Sequence, residues 1–473
     1  MTLKSSNPTT WLPELIYDAG TFKTEIAVGS DEAGTIANVV SASEVENGIA
    51  LKNRALLPGL INAHSHAFQR VIRGRTEYAT ATQTDSFWTW RELMYSAAIR
   101  LSPEDVYDAS RMAFLEMALS GITAVGEFHY LHRAPDGSEY DDPNLLAKQV
   151  VRAANDVGLR IALLRVAYAR AGFEKEANPK QLRFNEPDPE TFLKNLEQLG
   201  EDLSRGRSPT VTALAWVGVA PHSVRAVPLD YLKEVIDAAN QRRLPVHMHV
   251  AEQPAEVSAC IEEYGRSPVA LLATEGLLSE RFTAVHAIHV TPKAVGLLAD
   301  AHATVCACPT TERNLGDGIV PIDRFFQQRV PVSLGTDSHA QIDLLEDARE
   351  LEYHLRLQKM ERAVLASVDD EGPSAIATRL FQCATVNGAA SINAPGGSLE
   401  IGRPADFFTV DLNDPSIAGA SSDDLLSAIV FSLSRTAIRD VVVGGKRFVE
   451  DGRHADQADI VERFQKLQKK LWG

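Results

Sequence analysis

The chain has 473 residues, 45% of them hydrophobic, enough for a sizeable core and more than one small domain. Acidic residues outnumber basic ones 63 to 47, for a formal net charge of −16, which excludes nucleic acid and anionic membranes as main partners. An anionic substrate must then be held by a few locally placed Arg or Lys groups.

The four cysteines, Cys260, Cys306, Cys308 and Cys383, are too few for a disulfide framework. Cys306 and Cys308 read as small apolar groups of a buried strand. No apolar run reaches the roughly 18 residues of a membrane span. The start of the chain, with Ser5-Ser6-Asn7-Pro8, lacks the apolar core of a signal peptide. A cytoplasmic, reducing location is the expectation.

From Thr10 to Ile49 the pattern is short and strand-like, with Ile26–Val28 and Ile36–Val39 as strands between glycine turns. From Leu56 onward, apolar strands alternate with amphipathic helical stretches. The strands are Leu56–Ala63, Thr123–Phe128, Ile161–Ala167, Ala213–Ala220, Val246–Val250, Ala284–Ala287, Ala303–Cys308 and Val332–Gly335. Helical segments such as Glu104–Leu119, Pro143–Val157, Leu229–Gln241 and Leu344–Met360 lie between or after several of them.

Strands apolar on both faces and separated by helices indicate a parallel α/β sheet, and eight of them fit a closed (β/α)8 barrel. After Ala394 the strands return, at Ala405–Asp411 and in a hairpin over Val441–Phe448, and a surface helix follows at Gln457–Trp472. The expected organisation is a barrel over 58–394. Residues 1–57 and 395–473 join into a small β-sandwich, since each end is too short to fold well alone. Asp369–Ser374 reads as a solvated loop.

In such a barrel the reactive residues sit at the carboxyl ends of the strands. His64 and His66 end the first strand, where positions i and i+2 point the same way and can reach one metal ion. Glu127, His129 and Tyr130 end the second. His222 and Arg225 follow the fourth, His247, His249 and Glu252 end the fifth, His286 ends the sixth, and Asp337, Ser338 and His339 follow the eighth.

Three imidazoles and a carboxylate suit a borderline divalent ion such as zinc. His64, His66, His249 and Asp337 are the expected ligands, although spacing by itself leaves His247 and His249 equivalent. A metal so held lowers the pKa of bound water toward neutrality. Glu252 is placed to shuttle protons, His286 to stabilise a tetrahedral centre, and Asp337 to accept the water's proton. Val217–Arg225 holds no lysine that could bridge two metals, so a single ion is expected.

Four stretches, Pro58–His66, His249–Glu252, Val285–Ala287 and Gly335–His339, resemble the amidohydrolase superfamily over nearly the whole chain. The His249-to-Glu252 spacing is similar to its one-metal deaminase branch and favours His249 as the ligand. A narrower resemblance, to the formimidoylglutamate deiminase family, is carried by His64–Arg70, Asp85–Tyr95, Thr123–Tyr130, Ala220–Arg225 and Asn314–Gly318.

That resemblance implies hydrolysis of N-formimidoyl-L-glutamate to N-formyl-L-glutamate and ammonia, as in histidine degradation. It further implies a homodimer, and binding of the glutamate part by Gln69, Arg91, Tyr130, His222 and Arg225. The physics agrees for the arginines, whose planar forks hold carboxylates in bidentate geometry. Arg91 is expected in an aromatic loop after the first strand. Two other readings remain: deamination of a purine, pterin or related ring by the same machinery, and a non-catalytic assembly protein that kept the barrel.

Overall fold

A computed structural model describes residues 8–78, 87–175, 178–205, 213–366, 372 and 374–473. Ser5–Asn7, Asp85 and Ser86 of the aromatic run, and Asp369–Glu371 and Pro373 of the expected loop lie outside these residues.

Eight parallel strands form the barrel, each hydrogen-bonded to its neighbours in sequence. They are β1 (Leu60–Ser65), β2 (Ile122–His129), β3 (Arg160–Ala167), β4 (Ala215–Pro221), β5 (Val246–Val250), β6 (Phe282–His286), β7 (Thr304–Ala307) and β8 (Val332–Leu334). β1, β2, β3 and β5 are buried at every residue, because helices cover the outer face and side chains fill the lumen.

The circle closes between β8 and β1 through a short bridge just beyond the strand ends. The Asp337 N–H donates to the His64 carbonyl and the His66 N–H to the Asp337 carbonyl, both at 3.0 Å. Gly335 permits this seam, since a Cβ there would stand 2.7 Å from the His64 Cβ. The opposite end is plugged by the helix Val386–Ile392: Trp216 Nε1 donates to the Ile392 carbonyl, and Asn387 to the Val332 carbonyl.

The chain ends build a separate mixed sheet of nine strands. Its centre pairs Phe407–Asp411 antiparallel with Ile49–Pro58, which runs parallel to Thr9–Asp18. The core that each residue faces alternates along these strands. Leu56, Phe407 and Val442 join Trp11, Val28 and Ile36 in a small core, whereas Leu57, Phe408 and Val441 face the barrel's core. A buried ion pair ties the two units: Arg160, opening β3, donates from Nε and Nη2 to the Asp406 carboxylate at 2.6 and 3.0 Å. Gly444 N–H completes it at 2.7 Å.

Two expectations need correction. The strand read as Leu56–Ala63 is two strands divided at Gly59. The Gly59 N–H bonds to Asp406 of the terminal sheet, and the next amide, Leu60, bonds to Gly121 beside the barrel. Both halves are apolar, so hydrophobicity did not mark the division. The aromatic run after β1 is a helix, Phe87–Ala98, and not a loop. Its Phe-Trp-Thr-Trp opening has modest helix propensity, but the i, i+3, i+7 spacing puts Trp88, Arg91 and Tyr95 on one face. The Arg91 guanidinium stacks 5.6 Å from the Trp88 ring and 5.1 Å from Tyr95.

The final helix runs Gln457–Trp472 and buries Ile460, Phe464, Leu467 and Leu471. Among the described residues no helix is long and apolar enough to cross a membrane.

Candidate metal centre and substrate cleft

At the carboxyl mouth of the barrel, His64, His66, His249 and Asp337 each direct one ligand atom into a common space, all within 4.8 Å of one another. Asp337 Oδ1 lies 3.2 Å from His66 Nε2 and 3.5 Å from His64 Nε2, and His64 Nε2 lies 3.2 Å from His249 Nε2.

Two of these rings are fixed by the backbone. His66 Nδ1 donates to the Phe128 carbonyl at 3.0 Å and His249 Nδ1 to the His222 carbonyl at 3.1 Å. A carbonyl only accepts, so each ring spends its Nδ1–H there and turns Nε2 toward the common space. Burial keeps His249 well below the ordinary imidazole pKa and takes His64 down to about 3, so both stay neutral. Burial opposes ionisation of Asp337, but the imidazoles of His64 and His66 overcome it and hold its carboxyl well below the usual range. Lone pairs and an ionised carboxylate aimed at one point make a donor set that fits a divalent cation.

Strained backbone aims the groups around this centre. Ala251, His286, Ala287, Asp337 and His339 all adopt left-handed φ between 44° and 70°, at or just past the ends of their strands. His286 Nε2 stands 3.7 Å from both Glu252 Oε1 and Asp337 Oδ2, and His286 Nδ1 lies 3.2 Å from Glu312 Oε1. Burial disfavours a charged His286, but Glu252, Glu312 and Asp337 together raise its pKa well above the ordinary value. The same burial pushes Glu252 up. Glu256 accepts the N–H groups of Ala251 and Glu252, at 3.2 and 3.1 Å, and so holds the Glu252 turn.

A cleft of about 500 Å³ opens over this face, lined by Trp88, His222, Arg225, His249, Glu252 and Glu256 among others. Gln69 and Tyr130 form a buried wall beside it. Gln69 Nε2 donates to the Tyr130 hydroxyl at 2.8 Å, and the Tyr130 ring lies 5.2 Å from His66. His222 packs between His249, at 4.9 Å, and Tyr168, at 4.7 Å. Arg91 reaches the same Tyr168, donating from Nη2 to its hydroxyl at 3.2 Å. Of the five residues expected to bind substrate, His222 and Arg225 line the cleft, Gln69 and Tyr130 stand beside His66, and Arg91 is tied to Tyr168, which packs on His222.

Three histidines at strand ends stand elsewhere. His247, two residues deeper than His249, bonds to the Ser391 carbonyl of the plug at 2.9 Å. His339 lies between Ser65 Oγ and Thr336 Oγ1, both at 3.1 Å, and Ser65 in turn donates to Glu127. His129 packs 5.8 Å from His132, away from the cluster. Sequence reasoning drew nothing from the third and seventh strands, because no histidine follows them. Tyr168 and Glu312 lie just there, and the position alone could have found them.

A closed parallel barrel with a His/Asp cluster at its carboxyl mouth defines the class of metal-assisted barrel hydrolases. The amidohydrolase family profile matches residues 55–448. Formimidoylglutamate deiminase of Pseudomonas aeruginosa is 40% identical over 411 residues, 87% of this chain and 88% of that protein. A 5-methylthioadenosine/S-adenosylhomocysteine deaminase of Caldanaerobacter subterraneus is 26% identical over 447 residues, 94% of this chain and 92% of that one. The crystal structure of an amidohydrolase from Brucella melitensis superposes with a TM-score of 0.88 at 32% identity, covering 99% of this chain and all of that one. The chain belongs to the amidohydrolase family, within its hydrolases and deaminases of C–N bonds.

Proposed function

We propose that this enzyme hydrolyses N-formimidoyl-L-glutamate to N-formyl-L-glutamate and ammonia, using one zinc ion held by His64, His66, His249 and Asp337. The observation that carries the reading is that Arg225 and Glu252 line one cleft over the metal-ligand cluster, with Arg91 tied to Tyr168, which packs on the cleft residue His222. A substrate with two carboxylates and a basic amidine matches guanidiniums and a carboxylate gathered at one site. The 40% identity with the Pseudomonas deiminase supports the same substrate.

The ion, when bound, supplies Lewis acidity that makes water nucleophilic at neutral pH. The chain's own groups do the rest. Arg91 and Arg225 hold the carboxylates and fix the formimidoyl carbon over the centre. Glu252 hydrogen-bonds the imino nitrogen, takes one proton of the water and delivers it there, and Asp337 takes up the water's second proton and passes it on to the same nitrogen as it leaves. His286, cationic between three carboxylates, stabilises negative charge as it develops on oxygen. The oxygen of water ends on carbon, the carbon–nitrogen bond breaks, and ammonia leaves.

Ammonia release from formimidoylglutamate, adenosine, 5-methylthioadenosine and guanine tests the assignment. Turnover of the first alone is expected. Turnover of a purine and none of the first substrate overturns it in favour of the ring deaminases, a reading that the 26% relative and the aromatic Phe87, Trp88 and Phe173 of the cleft keep open.

A further inference from the structure

We propose that Tyr168 is a positioning residue that sets the guanidinium groups of Arg91 and Arg225 for a substrate carrying two carboxylates. The inference rests on the dianionic substrate proposed above and adds a residue that does not itself bind the substrate.

Tyr168 follows β3 and is buried. Its hydroxyl oxygen accepts from Gln181 Nε2 at 2.7 Å and from Arg91 Nη2 at 3.2 Å. The same Gln181 nitrogen donates to the Tyr95 hydroxyl at 2.7 Å, and the Tyr95 ring lies under Arg91. Gln181 thus ties together the two phenols that flank the guanidinium. The contacts of Arg91 with Trp88 and Tyr95 set its height above the rings but leave the planar fork free to turn. Directional acceptors fix that rotation, the Tyr168 hydroxyl ahead of the Tyr95 hydroxyl.

Arg225 shares the environment. It comes from the loop after β4 and donates from Nη1 to the Ala171 carbonyl at 3.2 Å. Burial raises the Tyr168 pKa, but the charges of Arg225 and Arg91 more than offset it, and the net displacement is downward. One phenolic oxygen thus interacts with two like charges that would otherwise repel each other. A substrate with one carboxylate needs one fork and is less sensitive to their relative placement.

The test is Tyr168→Phe, which keeps the ring and removes the acceptor. Steady-state kinetics compare N-formimidoyl-L-glutamate with two monoacids, N-formimidoyl-4-aminobutyrate and N-formimidoyl-L-2-aminobutyrate. For the diacid, KM is expected to rise roughly tenfold or more, the weight of a hydrogen bond to a charged group, with kcat within about twofold. For at least one monoacid the loss shrinks to about twofold, and that compound lacks the carboxylate held by Arg91. An equal loss on all three substrates, no loss on the diacid, or a loss confined to kcat overturns the proposal.

If the wild-type enzyme releases no ammonia from the diacid, the functional reading fails, and calorimetric binding of glutarate then decides the role of Tyr168. Binding about tenfold weaker in Tyr168→Phe upholds it. Equal affinity, or no binding by the wild type, rejects it.

Discussion

Asp337 and His66 meet twice: their backbones share a hydrogen bond of 3.0 Å, and their side chains approach to 3.2 Å between Oδ1 and Nε2. The seam that closes the barrel is thus also one edge of the metal centre. Ligands from the first and last strands reach each other only because the circle closes. Loading the centre should therefore stabilise the barrel as well as activate it.

Treatment with a chelator is expected to abolish hydrolysis and lower Tm, and zinc to restore both. A ligand present at a thousand times its Kd stabilises by about 4 kcal/mol. Calorimetry with elemental analysis checks this; full activity in metal-free protein would reject the centre. Asp337→Asn should lose both bound metal and activity.

Glu252→Gln keeps the shape of the side chain and removes its ability to carry a proton. The expected result is a fall in kcat of roughly 10²- to 10⁴-fold with little change in KM. Single-turnover measurements separate this chemical step from product release. An unchanged kcat would assign proton delivery elsewhere.

Glu312 anchors His286 by its Nδ1 and also receives the Cys308 N–H, at 2.9 Å. Glu312→Leu, of similar size, frees the ring to turn away from Glu252 and Asp337. Loss of an orienting partner of this type costs roughly 10- to 100-fold. The loss should fall on kcat, and Glu312→Gln, which keeps an acceptor, should recover part of it.

Acid stability provides an independent check on the fold. Burial works against ionisation of Glu186, but the Arg165 guanidinium, donating to Oε1 at 2.8 Å, pulls its pKa down to about 2. The unfolded value is about 4.3, so the pair's contribution is complete above that pH and fades as pH falls toward 2. Glu186→Gln should flatten the pH dependence of the urea midpoint in that window. At pH 7 it should cost roughly 3 kcal/mol, since it leaves Arg165 buried without its partner charge.

Asp406→Ala leaves Arg160 uncompensated between barrel and terminal sheet. The expected cost is about 3–5 kcal/mol. Restoring an apolar match with Arg160→Met in the same chain should recover much of it. Denaturant titration of the single and double variants measures the coupling.

Much of this was legible in the linear chain. Alternating apolar strands and amphipathic helices specify a parallel barrel because each strand buries both faces, and that pattern survives without knowledge of contacts. His64 and His66 announced themselves because two residues two apart on a strand must share a direction. The aromatic run from Phe87 did not announce its helix, since packing against Arg91 and the wall beneath it overrode modest local propensity. Gly59 hid a strand boundary because both of its sides are equally apolar.

The order of hydrophobic and ligating residues was thus determined by sequence alone, because periodicity and strand-end position are local properties. Spacing along β5 left His247 and His249 equivalent, and only resemblance favoured His249. Which of them faces the centre, and which carboxylate anchors His286, is visible in the tertiary structure. His247 and His249 share a face and differ only in depth along a closed barrel. Glu312 reaches its partner across 26 residues. Such choices depend on distances between elements, and those exist only after the barrel has closed.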